Sequence, residues 1–157
     1  MGVAGSGKST VGRLLAQKLG WDYFEADDFH PPENVAKMSR AEPLTDDDRA
    51  PWLAAIRRRM ERCAADAKPG VFTCSALKHA YRRVLTDGLL GVGTVHLAGD
   101  PATIAARISA RQGHFMKTAL VRSQFEALEP PENALTLDIR HPPEQLVAAI
   151  QRHWGLG

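Results

Sequence analysis

The sequence predicts an α/β fold: a parallel sheet with helices on both faces, in a single domain over residues 1–157. Three observations carry this. Apolar runs of strand length alternate along the chain with helical patterns, and such alternation demands crossover connections between parallel strands. The run Gly2-Val3-Ala4-Gly5-Ser6-Gly7-Lys8-Ser9 fits G-x-x-x-x-G-K-[ST], a pattern that joins a strand to a helix. The length of 157 residues suits one core and not two.

The elements follow in order. A helix starting near Ser9 sets Val11, Leu14, Leu15 and Leu19 on one face, and Gly20 stops it. Trp21 to Glu25 reads as a short strand. The stretch from Ala26 to Arg49 is polar, carries Pro31, Pro32 and Pro43, and reads as a functional excursion from the core. Pro51 then marks a helix start, with Leu53, Ile56, Met60 and Cys63 at helical spacing behind it. Val71 to Cys74 is a buried strand. Leu77, Ala80, Tyr81, Val84 and Leu85 form another helix face, closed by Gly88.

Thr94 to Leu97 is the next strand, and the Gly99-Asp100-Pro101 turn leads to a helix carrying Ile104 and Ile108. The loop Gly113-His114-Phe115-Met116 precedes a helix with Leu120, Val121 and Phe125. Leu135 to Asp138 is the last strand. Pro142 and Pro143 open a terminal helix with Leu146, Val147 and Ile150.

Composition narrows the function. Hydrophobic residues make up 44% and charged ones 24%, as in an average soluble chain. Twenty Lys and Arg against 18 Asp and Glu leave +2, too balanced to point to a nucleic-acid or membrane partner. No apolar run approaches the roughly 18 residues that span a bilayer, and the first ten residues hold no signal-peptide core. Cys63 and Cys74 match neither a zinc nor a redox spacing. The expectation is a cytoplasmic protein in a reducing compartment.

The glycine-rich run carries the chemistry. Gly2, Gly5 and Gly7 let consecutive N–H groups, Ser6 among them, turn inward around a phosphate, and the following helix points its positive end there. Lys8 would reach the β- and γ-phosphates, Ser9 would ligate Mg²⁺, and Thr10 follows in the same turn. The pattern specifies a nucleoside triphosphate and says nothing of its fate. A hydrolytic or regulatory NTPase and a kinase both remain. No N-K-x-D base-reading motif occurs, and no apolar strand ends in Asp-Glu. The nearest case is Leu97-Ala98-Gly99-Asp100, where Pro101 follows. A short chain with a polar insert and a basic loop near Arg111 favours the kinase.

Glu25-Ala26-Asp27-Asp28-Phe29-His30-Pro31 follows the second strand, at the edge where ligands of open α/β sheets gather. An Asp there would take the proton of an attacking hydroxyl and steady Mg²⁺ through water. The plainer reading is a helix cap. His30, Lys37 and Arg49 lie in the same excursion, and singly each fits solvated surface better than a site.

Several runs together resemble the gluconokinases. They are Asp27-Asp28-Phe29-His30-Pro31, Lys37-Met38, Glu42-Pro43-Leu44-Thr45-Asp46-Asp47-Asp48-Arg49, Pro51-Trp52-Leu53, Cys74-Ser75-Ala76-Leu77-Lys78, His114-Phe115-Met116 and Ser123-Gln124-Phe125-Glu126-Ala127-Leu128-Glu129. The resemblance runs in order from the phosphate loop to about Glu129, within the wider set of shikimate-kinase-like P-loop enzymes. It implies ATP-dependent phosphorylation of D-gluconate at the 6-hydroxyl, a five-stranded parallel sheet and a homodimer. Another small hydroxy acid as acceptor is the alternative.

By position, the resemblance makes Asp27 the residue that orients and deprotonates the acceptor. It puts His30, Lys37, Arg49, Ser75, Lys78 and Arg82 in the acceptor pocket, with Gln124 on the acceptor side. Residues about 107–124 resemble a mobile lid: Arg111 and Lys117 would meet the transferred phosphoryl group, Arg107 would sit nearer the nucleotide, and His114 nearer the acceptor. The adenine would meet the loop from Ile139 to Pro142. Glu25 departs from the pattern, standing where the wider fold often has Asp, which bears on a water held by Mg²⁺.

One expectation concerns the first residues. A phosphate loop of this type follows a strand inside the sheet, yet only Met1 precedes Gly2. The first strand is missing from the chain as written. The expectation is about five to ten mostly apolar residues upstream, and a 157-residue form that is poorly stable and nearly inactive. About five buried apolar residues would contribute about 8–15 kcal/mol, the size of a whole domain's net stability.

Overall fold

The phosphate-loop sequence turns directly into helix α1 (Lys8–Leu19), and the rest of the chain alternates as its pattern predicts. The structure, a computed structural model, describes residues 1–40, 42–110 and 116–157, with side chains from 121 onward in the last stretch. After α1 come β1 (Asp22–Glu25), a 3₁₀ turn (Ala26–Phe29), α2 (Pro32–Ser39), α3 (Asp46–Ala65) and β2 (Gly70–Thr73). Then follow α4 (His79–Thr86), β3 (Val95–Ala98), α5 (Pro101–Ser109), α6 (Met116–Ala127), β4 (Leu135–Asp138) and α7 (Pro143–Trp154).

Local chemistry sets the boundaries. Gly20 closes α1 in the left-handed region, its N–H reaching the carbonyls of Ala16 and Gln17. Asp100 caps α5 by accepting from the Thr103 amide at 2.8 Å. Helix α3 begins at Asp46, ahead of the start expected at Pro51. Thr45 and Asp48 form a reciprocal capping box there, and Pro51 lies inside the helix. The polar excursion also holds a helix that its composition hid, α2, opened by Pro32 in its first turn.

The strands pair in parallel, β1 with β2 and β3 with β4, from Asp22 opposite Gly70 and from Val95 opposite Leu135. The five-stranded sheet implied by the resemblance is therefore replaced, among the described residues, by two two-stranded halves. The physical reason is visible between them. Met1 and Gly2 bridge β3 to the segment just after β2: the Met1 amine donates to Val95, the Leu97 amide to Met1 at 3.0 Å, and the Gly2 amide to Ser75 at 3.3 Å. Beside this bridge the halves flank a cavity of about 500 Å³.

Side chains alternate across the strands, as a period of two requires. Val71 packs with Val11, Leu15, Leu97, Ile104, Val147 and Ile150 in one buried cluster. Phe72, one residue on, joins Trp52, Leu53, Ile56 and Leu85 in the other. Helices thus cover both faces. Gly12 lets α1 press onto the first half, because a Cβ there would lie 2.4 Å from Thr73 Cγ2. No helix among the described residues is long and apolar enough to cross a membrane.

Candidate active site

The phosphate loop is formed as its glycines dictate. Gly5 and Gly7 take φ of 81° and 91°, values side chains avoid, and a Cβ on Gly5 would strike Ile108 at 2.8 Å. Lys8 folds back so that Nζ donates to the Val3 carbonyl at 3.0 Å. Burial holds its ammonium below the ordinary 10.5, and the charges of Asp27, Cys74 and Glu25 oppose that shift. Ser6 is 1% exposed, and among the described residues its Oγ is buried without a hydrogen-bond partner. A cationic loop with an unsatisfied buried hydroxyl suits an anion. Ser9 and Thr10 are exposed beside it.

Two further contacts define the loop's surroundings. Gln124, on α6, accepts a hydrogen bond from the Ala4 amide at 2.6 Å. The structure therefore places this residue against the phosphate loop, whereas the resemblance put it on the acceptor side. Arg107 approaches Gly7, its Nη1 lying 3.8 Å from where a Cβ would stand, and it donates to the Ile139 carbonyl. It joins the loop to the segment expected near the adenine.

A polar cluster lies at the end of β1 and β2. The Tyr23 hydroxyl donates to Glu25 at 2.5 Å, Thr73 Oγ1 donates to the other Glu25 oxygen at 2.7 Å, and the Ser9 hydroxyl joins them. Burial pushes the Glu25 carboxyl up. The hydrogen bonds from Tyr23, Thr73 and Ser9, with the charge of Lys8, outweigh that and leave it below the ordinary 4.5. Glu25 thus stays an anion beside Ser9. Sequence reasoning noted Glu25 as a departure but missed Tyr23 and Thr73, because their positions read only as strand.

Asp27 and Asp28 stand exposed in the 3₁₀ turn that follows. His30 stacks on Trp52, with ring centroids 4.5 Å apart and planes 10° from parallel. Trp52 is itself fixed by its Nε1 donating to the Ala26 carbonyl at 2.7 Å. Buried Asn34 donates to the Asp48 carbonyl at 2.7 Å and lies 3.4 Å from His30 Nδ1. Burial, with the nearby Arg49 charge, lowers the His30 imidazole below 6.5 against the opposing pull of Asp27. Asn34 and Trp52 were absent from the expected site; Trp52 entered only as part of the run Pro51-Trp52-Leu53.

The cations expected on the acceptor side are all engaged. Lys37 pairs with Asp48 at 2.7 Å, and Lys78 holds both oxygens of Asp46 at 2.9 Å. Arg49 donates to the Leu44 carbonyl at 2.5 Å and lies 3.9 Å from Asp46, to which Tyr81 also donates. Arg82 ties down the carbonyls of Ala76 and Leu77 at 3.0 and 2.9 Å. Ser75 receives Gly2 through its carbonyl. The acidic start of α3 therefore holds Lys37, Arg49 and Lys78 together, a link the capping sequence Thr45-Asp46-Asp47-Asp48 would have revealed had its side chains been read as partners. Arg111 and His114, and the side chain of Lys117, lie outside the described residues.

A phosphate loop heading a helix, between parallel strand pairs, defines a P-loop nucleotide-binding domain, and comparison with known proteins makes it a kinase. The model of the Shikimate kinase family matches residues 4–136. A probable gluconokinase of Mus musculus is 42% identical over 96% of this chain and 92% of its own. A sugar kinase from Janibacter sp. HTCC2649, solved without ligand, superposes with a TM-score of 0.89 at 43% identity, covering 100% of this chain and 92% of that one. A gluconokinase from Sinorhizobium meliloti 1021 gives 0.81 at 44% identity over 94% and 85%. The chain belongs to the gluconokinases, within the shikimate kinase family.

Proposed function

We propose that this protein transfers the γ-phosphoryl group of ATP to the 6-hydroxyl of D-gluconate, giving 6-phospho-D-gluconate and ADP. The observation that carries the reading is the gluconokinase relationship along nearly the whole chain, joined to a formed phosphate loop whose lysine feels the charge of the exposed Asp27.

In this reading the loop amides and Lys8 hold the β- and γ-phosphates, with Gly2, Gly5, Ser6, Gly7 and Thr10 shaping the cradle and Arg107 at the nucleotide side. Asp27 orients the 6-hydroxyl and accepts its proton as the O6–Pγ bond forms and the bond from Pγ to the bridging oxygen breaks. The electron pair leaves on ADP. Ser9 and its partner Glu25, with Asp27 in the turn that follows, offer oxygen alone, which fits a hard divalent cation. Mg²⁺ held by Ser9 and Asp27 would neutralise charge on the phosphate oxygens. Arg111 and Lys117 would add positive charge as residues 107–124 close.

The acceptor carries one carboxylate and five hydroxyls. His30 and Ser75 supply uncharged polar contacts to it, with His114 from the lid, while Gln124 acts from the loop side. Lys37, Arg49, Lys78 and Arg82 supply the positive field. Half-exposed ion pairs such as Lys78–Asp46 contribute little net stability, so exchanging Asp46 for a substrate carboxylate costs little. The same reading makes the protein a cytoplasmic homodimer.

A coupled ADP-release assay over a panel of aldonic acids and shikimate tests the acceptor. Gluconate must stimulate release above every other compound; an equal response to shikimate, or none to any acid, defeats the reading. Light scattering tests the dimer, a monomeric mass being the contrary result.

A further inference from the structure

The direction of Asp27 is set by the backbone beneath it. Its carboxylate is exposed, and among the described residues no hydrogen bond holds it. The turn that carries it, Ala26–Phe29, is a single 3₁₀ element, ending on a bond from the His30 amide to the Asp27 carbonyl at 3.4 Å. A 3₁₀ turn this short has poor hydrogen-bond geometry and holds its own shape weakly. What fixes it must come from outside.

Trp52, in the second turn of α3 and 4% exposed, meets this turn at both ends. Its Nε1 donates to the Ala26 carbonyl at 2.7 Å. That carbonyl belongs to the planar peptide joining Ala26 to Asp27, so the bond fixes the plane that contains the Asp27 nitrogen and Cα. The same indole stacks on His30, just past the other end, and Phe29 packs against the cluster that holds Ala26, Trp52 and Ile56. A buried indole N–H needs a partner wherever it lies. Its choice of the peptide that leads into Asp27 is what gives the bond a consequence. The helix behind it is firmly seated, since its first turn carries the Thr45–Asp48 capping box and the partners of Lys37 and Lys78.

We propose that Trp52 is a positioning residue for phosphoryl transfer: its indole N–H holds the Ala26–Asp27 peptide and thereby aims the Asp27 carboxylate at the acceptor hydroxyl. The inference rests on the reading of Asp27 as the group that takes the proton. Misplacing a reacting group by about 1 Å costs up to about 10²-fold in rate. A carboxylate with no hydrogen bond of its own has nothing else to restore its aim. ATP binding, which rests on the phosphate loop, does not depend on this contact.

A double-mutant cycle tests this. Trp52→Phe keeps a ring beside His30 and removes the N–H. It should lower kcat about tenfold and leave the KM for ATP within about twofold. In an Asp27→Asn background the same change should cost less than about twofold, because no base is left to aim. Losses that multiply across the two backgrounds show Trp52 acting elsewhere and overturn the proposal, as does wild-type kcat in Trp52→Phe. Ile56→Val, one turn further along α3 and 1% exposed, controls for packing. It should lower the thermal midpoint and leave kcat within about twofold; a loss of kcat equal to that of Trp52→Phe means general loosening and also overturns the proposal. Should Trp52→Phe fail to fold, the benzothiophene isostere of tryptophan, which keeps the ring area and lacks the N–H, replaces it with the same expectations. Wild-type kcat in Asp27→Asn alone is a different failure: it strikes the reading of Asp27 first, and the role of Trp52 falls with it.

Discussion

Gln124 accepts a hydrogen bond from the Ala4 amide at 2.6 Å, so the helix after residues 111–115 is tied to the phosphate loop. One consequence is kinetic. Gln124→Ala should raise the KM for ATP about three- to tenfold through loss of one bond to the loop, and leave the KM for gluconate within twofold. Initial rates at varied concentrations of each substrate separate the two.

Lys8 is the buried cation of that loop. Lys8→Met should preserve the fold by circular dichroism and reduce kcat on the order of 10²-fold or more, since phosphoryl transfer rests on charge stabilisation. Its folded pKa lies below the ordinary 10.5, so the wild-type ammonium discharges at a lower pH than a free lysine. The KM for ATP should therefore climb on the alkaline side before pH 10.5. A flat alkaline profile would remove Lys8 from phosphate binding.

Asp27→Asn keeps the size of the side chain and removes its basicity. The expected loss in kcat is about 10² to 10⁴-fold with ATP affinity by calorimetry nearly unchanged. A change confined to ATP affinity would make Asp27 a metal or nucleotide residue.

The start of α3 links stability to acid. Asp48 is held down to about 2, from the ordinary 3.8, first by Lys37 and then by Thr45. A depressed carboxylate stabilises the fold fully above the unfolded value and loses that contribution as pH falls from about 4 through about 2. Asp48→Asn should lower the thermal midpoint at pH 7 by a few degrees and flatten the dependence across that window. Midpoints measured from pH 2 to 7 check both, and an unchanged acid slope would deny Asp48 the role.

The strands and most helices were legible because their signals are local. Gly20, Asp100 and Pro143 mark boundaries by their own backbone chemistry, and Leu135–Asp138 was read to the residue. The start of α3 was misplaced because Pro51 is a louder sign of a first turn than a capping box built with Asp instead of Glu. Helix α2 escaped notice since Val35 and Met38 stay exposed, leaving no apolar stripe to read. Lys8 and Ser9 were legible from spacing alone. The Asn34–His30–Trp52 arrangement was not, because it joins three elements through contacts that no local pattern records.

The most direct test is the identity of the product. The protein is incubated with ATP, Mg²⁺ and D-gluconate, and the mixture is followed by ³¹P and ¹³C NMR. The account predicts a phosphomonoester on C6 of gluconate, formed in step with ADP and faster than any reaction with shikimate. ADP and free phosphate released at the same rate with and without gluconate, or a phosphorylated shikimate formed in preference, would contradict it.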